Sequence, residues 1–342
     1  MKIFKKKKKF FAIGALVLVL SAVTLVSFTD RDFKIVKSLD IYYTLFRELN
    51  MYYVDKTDPE KLVKTSIDGM LSSLDPYTTY IPESEMDNFK FMTTGQYGGI
   101  GALIRKSDDY AVISEPYESF PAQKAGLQAG DIVLKIDGVS TKGKALDKVS
   151  ELLKGTPNTP VELLIKRPYA EQKEKKFTVT REKITINNVP YYGMVSDSIG
   201  YIRLSNFTSD AGRDVKNALI DLEQNMNAKS VILDLRGNPG GLLVEAVNVA
   251  NVFVPEGQEI VSTKGKVKQW DAVYRTTNSP VDTKIPLVVL VNRGSASASE
   301  IVTGSMQDLD RGVIVGERTF GKGLVQTTRP LSYNAQLKVT TA

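Results

Sequence analysis

The sequence predicts an α/β multidomain protein: an N-terminal membrane anchor and helical segment, a small β-rich domain, and an α/β core. Three observations predict this class. A lysine-rich start precedes an uncharged apolar run, short strands with glycine turns fill the middle, and strands alternate with helices after about residue 188. With 342 residues, 42% of them hydrophobic, the chain is long enough for two or three domains.

Residues 1–29 are predicted to form a cytoplasmic lysine tail and a transmembrane anchor. Residues 10–28 carry no charge, over roughly the length of one membrane-spanning helix. Lysines ahead of such a run stay cytoplasmic, so we expect a single-pass protein of the cell (cytoplasmic) membrane with its remainder extracytoplasmic, in the periplasm. A cleaved signal peptide with secretion is the alternative, although the run exceeds the usual signal core and no A-x-A site closes it.

The composition excludes several kinds of chemistry. The chain has neither Cys nor His, which excludes disulfides, thiolate nucleophiles, Cys- or His-ligated metals and a Ser-His-Asp triad. Six of the 45 basic residues lie in the first nine positions, and the remaining 39 equal the 39 acidic residues, so the net charge of +6 does not indicate nucleic-acid binding. Acid–base chemistry must therefore use Lys, Tyr or carboxylates, and no cofactor or metal is expected.

Residues 30–87 are predicted to form an N-terminal helical region. Apolar side chains recur at helical spacing over residues 31–74. The helical stretch is expected to end at Leu74-Asp75-Pro76, because proline cannot continue a helix and biases the preceding residue toward extended geometry.

The next region, residues 88–183, is predicted to be a small β-barrel-like domain. Its runs are β-branched or alternating, with glycine turns between them. Strands are expected at 111–114, 132–138, 161–167 and 175–182, and a helix at 145–155.

This region resembles a PDZ domain. The loop Gly99-Ile100-Gly101-Ala102 precedes a predicted edge strand, and the run AGLQAGD precedes IVLKIDGV. Glycines in such a loop let backbone N–H groups converge on one concavity, which would bind the terminal carboxylate of a peptide. The alternative is that these glycines only make tight turns.

From residue 184 to residue 342, apolar strands alternate with helices. This pattern implies a parallel sheet covered on both faces, with a site in the loops at the carboxyl ends of its strands. Strands are predicted at 199–207, 230–236, 286–292 and 312–316, and helices after Ser209, at 242–253 and from about Ser297.

Three loops at that edge carry groups suited to chemistry: 236–241, 293–300 and 317–323. The second has three serines alternating with alanines at the start of a helix, which is also typical of helix capping, and the spacing selects none of them as a nucleophile.

Lys322 lies between two glycines in the third loop. A lysine in an apolar site loses the hydration that favours its charge, so its pKa falls and its amine can accept a proton. Without His, a Ser-Lys pair is the leading arrangement, and a solvated loop lysine is the alternative. The same loop matches the front of a phosphate-binding P-loop, but Gly323 stands where that motif needs Ser or Thr, and no helix is predicted to follow.

The run GSASASEIVTGSMQD followed by GERTFGKGLVQT, with DLRGNPGGLL and LDPYTTYI, resembles the carboxy-terminal processing peptidases, also called tail-specific proteases. The resemblance covers residues 35–342 and implies a ClpP/crotonase-like serine peptidase core at 184–342. It implies that Ser297 is the nucleophile, that Lys322 is the general base, and that Gln326 orients the lysine.

The resemblance also implies an oxyanion hole made by backbone N–H groups of Gly240, Gly241 and Ala298. Two carboxylates on the helix after the serines, Glu300 and Asp308, are interpreted as supporting or surface groups. The chain ends at LKVTTA, where the family continues with further strands and helices. The core is therefore expected to be truncated at its C-terminus.

The implied function is that of a membrane-anchored extracytoplasmic serine endopeptidase. Its PDZ domain would bind protein substrates by their free, apolar C-terminal tails, an adaptor protein is a further candidate partner, and the oligomeric state stays open. A non-catalytic PDZ scaffold that only binds such tails is the alternative function.

Overall fold

The structure is a computed structural model that describes residues 30–168, 170, 173–185 and 187–342. The described chain has two compact units, a helical unit that ends at Ser73 and a larger unit from Leu74 to Ala342. Within these described ranges, no helix combines the length and the apolar character needed to cross a membrane. The predicted anchor at 10–28 lies outside the described residues.

The helical unit contains α1 (Asp30–Tyr52) and α2 (Pro59–Ser72). Asp58 caps α2, since its side chain accepts a hydrogen bond of 3.2 Å from the N–H of Lys61, and a proline occupies the first turn. The helical prediction for residues 31–74 is confirmed, with a non-helical link between the two helices, but the predicted helical region of residues 30–87 also contains the short strand Thr79–Ile81. As predicted, α2 ends just before the Leu-Asp-Pro sequence.

The first half of the larger unit is mostly strand. A short 3₁₀ turn lies at Glu83–Glu85. The elements in chain order are β1 (Thr79–Ile81), α3 (Met86–Thr94), β2 (Gln96–Gly99), β3 (Ala102–Ser107), β4 (Tyr110–Pro116), α4 (Pro121–Lys124), β5 (Ile132–Ile136), β6 (Val139–Ser140), α5 (Leu146–Leu153), β7 (Pro160–Lys166), β8 (Glu174–Thr180) and β9 (Glu182–Thr185).

Strands β3, β4, β5, β7 and β8 form one antiparallel sheet in that order, with β6 paired to β5. Alternate side chains such as Val133, Leu163 and Ile165 are fully buried in one cluster with Val149 and Leu153 of α5. The strands and the helix predicted for this domain are confirmed. Strand β3 lies at the edge of the sheet, next to α5.

The second half of the larger unit alternates strands with helices. A further 3₁₀ turn lies at Lys268–Trp270. The elements are β10 (Tyr191–Met194), β11 (Ile199–Arg203), α6 (Ala211–Gln224), β12 (Ser230–Asp234), α7 (Leu243–Phe253), β13 (Glu259–Thr263), β14 (Ala272–Arg275), β15 (Leu287–Val291), α8 (Ala298–Asp308), β16 (Val313–Gly316), β17 (Gln326–Pro330) and β18 (Gln336–Thr340).

The central sheet has the order β10-β11-β12-β15-β16, and β11, β12, β15 and β16 pair in parallel as predicted. Side chains such as Ile202, Leu233 and Val289 share one core cluster with residues of α6, α7 and α8. The intervening Ile232 and Val288 are only half-buried. The prediction that both faces are covered is therefore wrong for the described residues, which cover one face fully.

A separate three-stranded sheet, β1-β18-β17, lies next to the loops at the carboxyl edge of the central sheet. It pairs a strand from near residue 80 with two strands after residue 325. This pairing brings the conspicuous sequence LDPYTTYI to the far end of the chain.

Candidate active site

The three serines of the loop before α8 have different surroundings. The hydroxyl of Ser295 donates to the carbonyl of Leu235 (2.8 Å), and that of Ser299 donates to the carbonyl of Asn238 (2.9 Å), both fully buried. Ser297 is half-buried and lines an open cleft. The outer serines hold two loops together, so the middle serine is the one that a substrate can reach.

Ser297 has a backbone that non-glycine residues rarely adopt, with φ of 55° and ψ of −112°. It immediately precedes α8, so the N–H groups of the first helical turn point toward the same side. Its own N–H donates to Glu300 Oε2 at 2.8 Å, which is one half of a capping box. A strained residue held in this way is typical of functional sites.

Lys322 lines the same cleft, and its amine donates to Gln326 Oε1 at 2.8 Å. The Nζ atom also lies 4.4 Å from the centre of the Tyr77 ring. Burial lowers the pKa of Lys322, and the positive charge of Lys338 lowers this pKa further against the opposing charge of Asp75. Within the described part of the chain, the amine makes no hydrogen bond with the Ser297 hydroxyl.

Glu300 joins the serine loop to the lysine loop. Its Oε2 accepts from the N–H groups of Ser297 and Lys322, both at 2.8 Å, and two donors to one oxygen lie within about 6 Å of each other. Its Oε1 accepts from the Thr319 hydroxyl at 2.8 Å and from the Gly321 N–H at 2.6 Å. Burial raises the pKa of Glu300, but these hydrogen bonds outweigh it and leave the pKa below the ordinary value.

Sequence reasoning left Glu300 and Asp308 together as supporting or surface groups. Asp308 is exposed in the last turn of α8, whereas Glu300 is the central acceptor of the site. The sequence did contain a signal for the role of Glu300, because it follows Ser297 by three residues, which is the spacing of a capping box.

The glycine loop after β12 is fixed by two asparagines. The buried Asn238 accepts from the N–H of Gly240 (2.9 Å) and donates to the carbonyl of Leu204 (2.9 Å). Asn292 Oδ1 accepts from the N–H of Gly237 at 2.8 Å, which ties the glycine loop to the serine loop. Neither asparagine stood out in the sequence.

Gly240 approaches the serine loop closely. It has φ of +97°, and a Cβ atom added there would lie 2.6 Å from the carbonyl oxygen of Ala296 and 2.9 Å from the nitrogen of Ala298. The Gly240 N–H already donates to Asn238 Oδ1, so it does not serve as the oxyanion-hole donor that the resemblance implies. The structure shows no acceptor within its described residues for the N–H groups of Gly241 and Ala298.

Asp234 anchors the base of the glycine loop at the end of β12. It is buried and accepts from the Tyr201 hydroxyl and from Arg236 Nη2, each at 2.7 Å. Burial raises the pKa of Asp234, but the hydrogen bonds from Arg236 and Tyr201 outweigh it and lower the pKa. This ion pair was not singled out from the sequence.

The cleft between these loops has a volume of about 550 Å³. Ser297, Lys322, Gln326 and Lys338 are among its polar lining residues, and apolar side chains from α3, α8 and the loop before β17 form much of its wall. These apolar side chains include Phe89, Phe91, Met92, Ile301 and Leu324.

The predicted peptide-binding loop leads into the edge strand β3. Gly99 ends β2, and the carbonyl of Ile100 accepts a hydrogen bond of 2.7 Å from the turn of α4. Gly101 has φ of +70°, and a Cβ there would lie 2.5 Å from the Phe120 side chain, so glycine is required. Ala102 begins β3, whose free edge beside α5 can accept a further strand.

The P-loop interpretation of the lysine loop is excluded. Residues 317–325 contain no helix, and the next element is the strand β17. A P-loop lysine needs a following helix whose N-terminus binds phosphate.

Comparisons with known proteins identify the family of the chain. The family model described as Peptidase family S41 matches residues 198–342, and the model described as PDZ domain matches residues 112–167. The carboxy-terminal-processing protease of Bartonella bacilliformis is 37% identical over 318 residues, covering 92% of this chain and 72% of that protein.

A probable CtpA-like serine protease of Staphylococcus aureus (strain N315) is 38% identical over 298 residues, or 86% of this chain. The match covers 59% of the length of that relative. The solved photosystem II D1 C-terminal processing protease is 33% identical, with a TM-score of 0.48 over 88% of this chain and 86% of that one. On the extent of the Bartonella match and the matched peptidase and PDZ models, the chain belongs to peptidase family S41 and contains a PDZ domain.

Proposed function

We propose that this protein is a serine endopeptidase that binds proteins by their C-terminal tails and hydrolyses peptide bonds with Ser297 as nucleophile and Lys322 as general base. One observation carries the proposal: both residues line one cleft, and their backbones are held on the single carboxylate of Glu300. The lowered pKa of Lys322 supports its use as a base.

In this mechanism the unprotonated Lys322 amine takes the hydroxyl proton of Ser297 while Oγ bonds to the carbonyl carbon of the substrate. The same proton then passes to the departing amine nitrogen as the C–N bond breaks, which leaves an ester on the serine. Water hydrolyses the ester with the lysine again as base, releasing the carboxylic acid and restoring the hydroxyl. In the absence of substrate such hydrogen bonds are often long, so the separate positions of hydroxyl and amine are compatible with this role.

The oxyanion of each tetrahedral intermediate would be bound by the N–H groups of Gly241 and Ala298. Two observations support this assignment: both N–H groups lie where the glycine loop meets the serine loop, and neither has an acceptor among the described residues. One such donor contributes roughly 3–4 kcal/mol to the transition state. Gln326 would hold the lysine amine in place between proton transfers.

The PDZ domain would select the substrate. A free C-terminal carboxylate would bind at the loop 99–102, and the residues before it would pair with the open edge of β3. The apolar walls of the catalytic cleft favour apolar side chains next to the cleaved bond.

Membrane anchorage is a separate part of the proposal and rests on the sequence alone. The lysine tail and the apolar run at 10–28 favour an anchored protein with its peptidase part outside the cytoplasm. Treating intact cells and spheroplasts with an added protease would test this, since only an extracytoplasmic core is digested without lysis of the membrane. Digestion only after lysis would contradict it.

The test of the proposed activity uses the full chain purified in detergent and an unfolded reporter protein with an apolar C-terminal tail. We expect cleavage by the parent protein, none by Ser297→Ala or Lys322→Ala, and full activity in Lys264→Ala, which alters an exposed lysine. Amidation of the reporter's C-terminus should weaken cleavage, because the carboxylate contact is lost.

Cleavage that survives Ser297→Ala would refute the nucleophile. Tail binding without cleavage by any form would favour the non-catalytic scaffold. Equal cleavage of free and amidated tails would refute the PDZ part of the proposal while leaving the dyad intact.

A further inference from the structure

The motif LDPYTTYI has no part in the mechanism above, yet its turn lies against the proposed base. The Tyr77 ring lies 4.4 Å from Lys322 Nζ. The strand after the turn, β1, pairs with β18, and Thr79 is opposite Lys338. The turn therefore belongs to the same small sheet as Gln326, which is the first residue of β17.

Asp75 organises this turn. One carboxylate oxygen accepts from the N–H groups of Tyr77 and Thr78, both at 2.7 Å, and the other accepts from the Thr78 hydroxyl at 2.8 Å. An ionised carboxylate only accepts hydrogen bonds, so the single hydroxyl hydrogen of Thr78 is committed to Asp75. Burial raises the pKa of Asp75, but these hydrogen bonds lower it overall, which keeps the group ionised.

The direction of this bond fixes the next one. Thr78 Oγ1 lies 3.4 Å from Thr340 Oγ1 and accepts from the backbone N–H of Thr340 at 3.2 Å. Since the Thr78 hydrogen is used, a hydrogen bond between the two hydroxyls can only be donated by Thr340, which directs the Thr340 hydrogen toward the Asp75 turn. The lone pairs of Thr340 then face Gln326, whose Nε2 donates to Thr340 Oγ1 at 3.1 Å.

An amide side chain has a donor end and an acceptor end that are nearly equal in shape, so neighbours decide which way it points. Because Thr340 accepts from the nitrogen of Gln326, the oxygen of that amide is left facing Lys322 and accepts from its amine at 2.8 Å. With the amide reversed, an N–H would face the lysine ammonium and an oxygen would face a hydroxyl whose hydrogen points elsewhere.

We propose that the Asp75 turn is a positioning element for the base: a one-way hydrogen-bond chain from Asp75 through Thr78 and Thr340 sets the Gln326 amide so that its oxygen holds the Lys322 amine. The inference rests on the proposed function, because the lysine matters only if it transfers protons. Asp75, Thr78 and Thr340 do not line the cleft that contains Ser297.

Thr340 separates positioning from simple electrostatics. The amine of Lys322 is faced by the Gln326 amide and by three titratable groups, namely Asp75, Tyr77 and Lys338. Any change at Asp75 alters a charge near the amine as well as the chain. Thr340 carries no charge, so removing its hydroxyl takes away the acceptor that orients the amide without changing a charge near the amine.

The test compares Thr340→Val, which keeps the shape and removes the hydroxyl, with Thr340→Ser, which keeps the hydroxyl. We expect kcat of the valine variant to fall about tenfold with KM unchanged, the size of one lost orienting hydrogen bond, and the serine variant to stay within twofold of the parent. Thr327→Val is the matched control, because the Thr327 hydroxyl lies in the same sheet and has no hydrogen-bond partner among the described residues.

Two further readouts distinguish positioning from a general loss of structure. In the Gln326→Ala background, Thr340→Val should have no additional effect, because both act through one amide. The Lys322 amine, titrated by competitive acetylation in the inactive Ser297→Ala protein, should deprotonate at lower pH in Thr340→Val, since the amine loses the oxygen that stabilises its charged form.

An unchanged kcat in Thr340→Val, an equal loss in Thr327→Val, or full additivity with Gln326→Ala would each overturn the inference. The acetylation titration needs no catalysis, so it tests the hydrogen-bond chain even if the dyad is refuted. Conversely, cleavage lost in Ser297→Ala and Lys322→Ala but retained in Thr340→Val would leave the proposed function standing and reject this inference alone.

Discussion

Replacing Glu300 with glutamine should loosen the serine loop from the lysine loop. Each carboxylate oxygen accepts two hydrogen bonds at 2.6–2.8 Å. In glutamine one of these oxygens is replaced by an NH₂ group. That group cannot accept, so the two hydrogen bonds that the replaced oxygen accepted are lost. A hydrogen bond to a charged group contributes about 1.5–3 kcal/mol, so losing two removes roughly 3–6 kcal/mol from the coupling of the loops.

Part of that loss is recovered because the lysine loop is partly exposed and can relax. We therefore expect the free energy of unfolding to fall by about 2–4 kcal/mol and kcat to fall at least about 100-fold, since both reacting groups lose their common support. The assay is urea unfolding together with reporter cleavage. Glu317→Gln is the matched control, an exposed glutamate in the same loop whose nearest basic partner lies 3.8 Å away.

The same variant has a pH signature. Because the pKa of Glu300 lies below its ordinary value in the folded protein, its stabilisation is complete above the ordinary glutamate pKa and is lost as the pH falls through the lowered pKa. The stability difference between parent and Glu300→Gln should thus be largest near neutral pH and narrow in acid. A kcat within threefold of the parent, or a stability difference independent of pH, would refute this reasoning.

Three other predictions follow from single contacts. Gly240→Ala should lower stability by about 2–3 kcal/mol and abolish cleavage, because its φ of +97° and the 2.6 Å approach to a carbonyl oxygen exclude a Cβ, whereas Gly237→Ala, with open space around it, should cost about 1 kcal/mol in urea unfolding. Lys338→Gln should raise the pKa of Lys322, so the rise in the pH–rate profile should move to higher pH; a shift to lower pH would contradict the assignment. Asp131→Asn should destabilise the PDZ domain by about 2–3 kcal/mol in thermal unfolding, because its arginine partner at 2.7 Å would lose a buried carboxylate, while kcat on a short tail-free peptide stays unchanged.

The sequence predicted those features that depend on local chemistry. Proline ended the first helical region, alternation gave the strands of the PDZ domain, and apolar runs gave the parallel strands of the core. The prediction that both faces of the central sheet are covered went too far, because an apolar strand pattern does not specify which elements pack against each face. Ile232 and Val288 are apolar, as the pattern requires, yet only half-buried.

The roles of polar residues were harder to predict, because they depend on contacts between distant segments. Glu300 accepts from a loop 19 to 22 residues further on, and Thr78 meets Thr340 across 262 positions. No periodicity encodes such pairs. The sequence motifs could place the serines and Lys322 near each other, and the family resemblance indicated Ser297. The hydrogen bonds of Ser295 and Ser299 give the physical reason, since they distinguish the structural serines from the accessible Ser297.

The most direct test of the account is to identify the serine that carries the acyl group. The full-chain protein would be mixed with an activated ester of an apolar peptide, quenched in acid, and mapped by mass spectrometry after digestion. The account predicts an ester on Ser297 in the parent and none on the same timescale in Lys322→Ala. An ester on Ser295 or Ser299, or one on Ser297 that forms equally fast without the lysine, would contradict the Ser-Lys mechanism.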